Sequence, residues 1–183
     1  VLAVEVECPT PEPERPNVSL TGSFQSGPLA PPGMPGGIWQ PVTIERTGGV
    51  AIRWSRLLCT RADVDNAQLT IRLILDALEP GDYRFDTSVA SPDGHAVAGG
   101  TETHTLAAGE NRLELTTSVA NPELWWPASL GDQPLYEVAV AVRPLGEEAD
   151  AVSDRAHWRT GLRRVEARNM IWSVNGRRMF LKG

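Results

Sequence analysis

The sequence predicts an all-β chain folded as an antiparallel sandwich. Three observations carry this: four runs with apolar residues at every second position, turn-forming clusters between them, and no convincing helical period. In the first run Ala67, Leu69, Ile71, Leu73 and Leu75 alternate with Gln68, Thr70, Arg72, Ile74 and Asp76. Successive strand side chains point to opposite faces, so this run has one buried face. Tyr83, Phe85, Thr87 and Val89 repeat the pattern, with Arg84, Asp86 and Ser88 facing out. Leu113, Leu115, Thr117 and Val119 do so again, as do Tyr136, Val138, Val140 and Val142. Between these runs lie Glu79-Pro80-Gly81-Asp82, Ser91-Pro92-Asp93-Gly94, Ala108-Gly109-Glu110-Asn111 and Pro144-Leu145-Gly146. Such clusters are turn signals. Val50–Leu58, His95–Leu106 and Ala151–Trp158 supply further strands. The total is about seven at near-regular spacing, the texture of an immunoglobulin-like sandwich.

Composition is compatible with this fold and narrows the function. A chain of 183 residues holds one domain with extra material, or two small ones. At this length folding buries roughly 70% of the unfolded chain's surface, so a core needs no staples. The 17 Gly and 15 Pro fit short strands joined by many turns. The net charge of −6 argues against nucleic acid and against an anionic membrane surface, both of which attract clustered Lys and Arg. No apolar run approaches the roughly 20 residues of a membrane span, and Val1–Val6 reads as a strand rather than a signal peptide. Both ends are expected to be boundaries inside a longer protein, which leaves the compartment open.

Three zones differ in texture. Residues 1–45 hold a short strand, a Pro- and Gly-rich stretch with a weakly alternating segment at Val18–Phe24, and an apolar run at Ile38–Ile44. Residues 46–160 carry the sandwich. In residues 161–183, Met170–Val174 and Arg177–Leu181 flank Asn175-Gly176, and Asn-Gly between apolar runs is a strong hairpin signal because both residues tolerate positive φ.

Chemistry-bearing residues are sparse. Acid–base catalysis by carboxylates usually needs a pair of carboxyl groups whose surroundings push their pKa values apart. Glu147, Glu148 and Asp150 cluster in a Gly- and Ala-flanked turn, Asp63 and Asp65 read as turn residues, and no pair has the apolar surroundings that raise a pKa. No catalytic residue is therefore assigned. His95, His104 and His157 fall in strand or turn positions without a nucleophile elbow nearby. Cys8 and Cys59 lack metal-ligand spacing and are expected as free thiols, though a disulfide stays open. Gly33–Gly37 is broken by Pro35 and precedes no helix, so no phosphate loop is read there, and with the cysteines lacking ligand spacing no metal and no cofactor is expected. Asn17-Val18-Ser19 is a glycosylation sequon only in a secreted eukaryotic setting.

The aromatic residues are more informative. Trp125 and Trp126 lie side by side between Pro122 and Pro127, in a loop joining two strands. One of such a pair packs on its own core. The other needs a neighbouring domain or a sugar face, so both are candidates for substrate contact and for a domain interface. Trp54, Trp158 and Trp172 fall within strand patterns and are expected as core or interface anchors. If the chain is a piece of a larger protein, Ile38 and Trp39 at one junction and Trp172, Met179 and Phe180 at the other are expected at the surfaces that meet its neighbouring domains.

Three motifs in order resemble glycoside hydrolase family 2. Pro35-Gly36-Gly37-Ile38-Trp39-Gln40-Pro41-Val42 looks like the closing strand of the family's jelly-roll domain. Asn121–Pro127 followed by Gly131-Asp132-Gln133-Pro134-Leu135-Tyr136 resembles the family's immunoglobulin-like domain. Thr160-Gly161-Leu162-Arg163 with Trp172–Gly183 looks like the approach to its catalytic (β/α)8 barrel. The double Trp with Gly131-Asp132-Gln133-Pro134-Leu135-Tyr136 resembles the β-mannosidase and exo-β-glucosaminidase branches.

The resemblance implies a jelly-roll remnant at 1–45, an immunoglobulin-like sandwich at 46–160, and a linker and hairpin at 161–183. The partners it implies are the parent chain's own jelly roll and barrel, with carbohydrate bound through the parent. The parent would be a retaining exo-β-glycosidase whose two catalytic Glu lie on the barrel. This region would then be a non-catalytic accessory. A free-standing carbohydrate-binding module and an adhesion domain are the alternative readings, since a sandwich alone does not fix function.

Overall fold

The structure, a computed structural model, describes residues 4–5, 38, 40–145 and 151–180. The chain divides into two compact units, Val1–Arg46 and Thr47–Gly183. In the first, the described residues form no strand, and Ile38, Val42 and Ile44 are exposed. Residues 40–44 of the apolar run at Ile38–Ile44 lie in no strand. A strand exists only where another backbone satisfies its N–H and C=O groups, and no ladder among the described residues includes 40–46. Cys8, the sequon at Asn17, Val18–Phe24, Gly33–Gly37, Trp39, the Glu147–Asp150 cluster and Leu181 lie outside the described residues.

The second unit is all strand. One sheet has the order β1-β2-β5, formed by β1 (Val50–Ala62), β2 (Asn66–Ala77) and β5 (Gly109–Ala120). The other has the order β4-β3-β6-β7, formed by β3 (Gly81–Ala90), β4 (Ala96–Leu106), β6 (Tyr136–Pro144) and β7 (Asp154–Thr160). Every ladder is antiparallel. This is the immunoglobulin-like sandwich read from the sequence. Its core is made by the alternating residues: Leu69, Ile71, Leu75, Phe85, Val89, Leu115, Val138, Val140 and Val142 are almost wholly buried. Burying one such side chain stabilises the fold by about 1.5–3 kcal/mol.

Where the alternation fails, the cause is local. β1 runs to Ala62 rather than Leu58, and its register slips between Ile52 and Trp54. That bulge puts Trp54 opposite the outward-facing Ile74, so Trp54 is 45% exposed instead of in the core. Thr70 lies on the outer face but is buried, because its cross-strand neighbours Leu58 and Thr116 flank it on a central strand. β7 begins at Asp154 rather than Ala151 because Ser153 is used elsewhere. Its hydroxyl accepts from Val50 N at 2.7 Å and donates to Val50 O at 3.0 Å, while Ile52 N donates to Asp154 Oδ2 at 2.7 Å. These bonds tie the edges of the two sheets together.

A third small sheet follows, with the order β10-β9-β8: β8 (Val165–Arg168), β9 (Ile171–Val174) and β10 (Arg177–Met179). The expected hairpin is present, with φ of 50° at Asn175 and 78° at Gly176. β8 was not foreseen, because its alternation extends over only four residues, too few to establish a period. Seven sandwich strands alternate in direction, so the chain enters at the pole holding residues 47–49 and leaves at the opposite pole, near Gly161.

Candidate functional site

That exit pole gathers three separate segments: the loop from Asn121 to Leu135, the residues after β7, and the β9–β10 turn. The loop is built from its ends. Asn121, at φ 46°, closes β5, and its N–H donates to Asp65 O at 2.9 Å. Tyr136 opens β6 from a buried position, and its hydroxyl accepts from Glu123 N at 2.9 Å. This bond, between residues 13 apart, closes the loop onto its own start. Burial pushes the phenol pKa up, while the Glu123 N–H pulls it the other way.

Between these anchors the two tryptophans part company. Leu124 pairs with the fully buried Leu162 in an isolated parallel bridge, and Trp125 N donates to Leu162 O at 2.9 Å. The Trp125 ring rests directly on Gly161, where an added Cβ would stand 2.4 Å from its Cγ. The Arg163 guanidinium carbon lies 4.7 Å from the ring centroid, a cation–π contact. Trp126 instead packs on its own loop. Its N–H donates to Asp132 O at 2.9 Å, and a Cβ on Gly131 would meet it at 3.2 Å. Both rings are part-buried. The spacing of a double Trp could not reveal that Trp125 belongs with Gly161 and Arg163.

Asn175 joins the hairpin to this cluster. Its N–H donates to Arg164 O at 2.8 Å, and its Oδ1 accepts from Arg164 N at 2.8 Å. Its Nδ2 donates to Trp125 O at 3.0 Å. Sequence reasoning gave Asn175 a turn role only. Cys59 on β1 borders the same cluster: burial raises its thiol pKa, opposed by the N–H and charge of Arg163.

The small sheet has two unlike faces. By register, Val165, Trp172, Val174 and Met179 share one face. There Val174 is buried, while Trp172 is 41% and Val165 52% exposed. Glu166, Arg168, Ile171 and Ser173 share the other, over a shallow hollow of about 380 Å³. Met170 and Phe180 are exposed.

Three acidic residues at or near the hollows and turns are each paired with arginine. Glu166 in the hollow is paired with Arg164 at 2.6 Å. A second hollow of about 530 Å³ on β3, β6 and β7 holds Asp86, which is paired with Arg84 and Arg143. Asp63 accepts from Asn66 N and Asp65 N and pairs with Arg61. Those partners hold its pKa below the usual carboxylate range, the opposite of what a general acid needs. No three metal-ligating side chains converge among the described residues. Among them, too, no helix is long and apolar enough to cross a membrane.

A family model described as glycosyl hydrolases family 2 matches residues 57–163. An exo-beta-D-glucosaminidase of Hypocrea virens is 34% identical over an alignment of 160 residues that covers 80% of this chain and 17% of that protein. A beta-mannosidase B of Neosartorya fischeri is 31% identical over 159 residues, covering 82% of this chain and 18% of that protein. The chain thus spans about a sixth of the length of these relatives. Among solved structures, a glycosyl hydrolase family 2 member from Bacteroides cellulosilyticus superposes with a TM-score of 0.64. It is 21% identical, over 75% of this chain and 19% of that one, and confirms the fold.

Proposed function

The chain belongs to glycosyl hydrolase family 2, and we propose that it serves as the non-catalytic sandwich region of a longer retaining exo-β-glycosidase of the β-mannosidase or exo-β-glucosaminidase kind. Its role is to hold the domains on either side in fixed geometry. The observation that carries this reading is the exit pole. Its most chemically distinctive residues, Trp125, Arg163 and Asn175, are spent on one another rather than offered to a ligand. Asp86, Glu166 and Asp63 are engaged in ion pairs or a turn, which also supports a non-catalytic role.

In this reading Ile38 and Trp39 face a jelly roll, and Trp172, Met179 and Phe180 face a barrel. Trp125 and Trp126 support that second junction. A sugar platform would need a bare ring face, and Trp125 lies against Gly161 with Arg163 over it. Calorimetric titration of the chain with mannose, manno-oligosaccharides and glucosamine is expected to show no sub-millimolar binding. Sub-millimolar affinity lost on Trp126→Ala would establish a binding module instead.

A further inference from the structure

We infer that Asn175 is a positioning residue: besides forming the hairpin turn, it latches the β8–β10 sheet to the Asn121–Leu135 loop and so fixes that sheet's orientation on the sandwich. A type I′ turn asks only for positive φ at this position, which Gly or Asp supplies as well. The side-chain bonds of Asn175 lie outside what the turn requires. Oδ1 takes the Arg164 N–H at 2.8 Å, and Nδ2 reaches the Trp125 carbonyl, 50 residues away, at 3.0 Å. The direction of the amide is fixed by its neighbours, since the Arg164 N–H needs an acceptor and the Trp125 carbonyl needs a donor.

The receiving backbone is itself held. Trp125 N is bonded to Leu162 O, and the ring is seated on Gly161 with Arg163 over it. The latch therefore closes between two points that cannot easily move apart. Apart from Val174, the apolar residues of the sheet's Val165–Trp172 face are wholly or partly exposed, so burial against the sandwich alone gives the sheet little orientation. The consequence for a domain that follows rests on the function proposed above. The latch does not, so its failure leaves that reading standing.

The test is a dipolar distance measurement between nitroxide labels at Thr103→Cys and Arg178→Cys, in a Cys8→Ser, Cys59→Ala background of the 183-residue chain. With Asn175 in place we expect one narrow distance distribution. N175D keeps a good turn residue and the oxygen for Arg164 N–H, but sets a carboxylate oxygen against the Trp125 carbonyl. N175G keeps the turn and removes both side-chain bonds. Each is expected to broaden the distribution at least twofold, with amide exchange at Arg164 at least tenfold faster in N175G and the β9–β10 ladder still protected. An unchanged width in both variants would overturn the inference. So would loss of β9–β10 protection in both, because Asn175 would then act through the turn alone.

Discussion

Tyr136, Gly161 and Asp63 each hold a piece of backbone that no strand ladder reaches. Tyr136→Phe deletes the hydroxyl that accepts from Glu123 N and leaves the ring in place. We expect a loss of about 1 kcal/mol, read as a lower urea midpoint with an unchanged slope. Gly161→Ala forces a Cβ into the Trp125 ring and is expected to cost about 1–3 kcal/mol, with tryptophan emission shifted to the red as Trp125 is displaced. Asp63 carries a pH signature. Its folded pKa is depressed, first by the Asn66 N–H and then by Arg61, so its contribution is present above the unfolded pKa. That contribution fades as pH falls through the folded value. Asp63→Ala should therefore be less stable than the parent at pH 7, and the gap should close below about pH 4, as followed by urea midpoints across pH. Asp63 as a turn residue was legible from sequence. The seat of Trp125 was not, because Gly161 lies 36 positions away and only the fold brings it near.

At the scale of elements, the four alternating runs became β2, β3, β5 and β6 because each has one buried face, which period two records directly. The edges were less legible. The bulge in β1 that turns Trp54 outward depends on pairing with β2, and β8 depends on β9, so neither has a signature of its own. At 40–44, by contrast, the described residues of the apolar run at Ile38–Ile44 have no ladder partner and form no strand. Leu162 still belongs to the sandwich core, and we propose that residues 165–180 beyond it are an extension carried by the sandwich. Deleting residues 169–183 removes β9, β10 and Asn175 but leaves all seven sandwich strands. A cooperative thermal transition with strand-type circular dichroism is expected to survive, at a lower midpoint. An unfolded product would place the hairpin within the core.

The whole molecule combines an acidic chain with a basic, partly apolar pole. The net charge is −6, yet residues 160–180 hold five arginines against one glutamate. Met170, Trp172 and Phe180 at this pole are 93%, 41% and 85% exposed. We propose that this bare apolar surface is an interaction site, in keeping with a region that spans about a sixth of its relatives. The same surface predicts concentration-dependent self-association in light scattering, reduced by Trp172→Ser with Phe180→Ser. The central claim is that this family 2 region supports catalysis without performing it. It is tested most directly by turnover of nitrophenyl β-D-mannoside and nitrophenyl β-D-glucosaminide by the purified 183-residue chain. The account predicts no hydrolysis above the uncatalysed rate. Hydrolysis abolished by replacing a single Asp or Glu within the chain would contradict it.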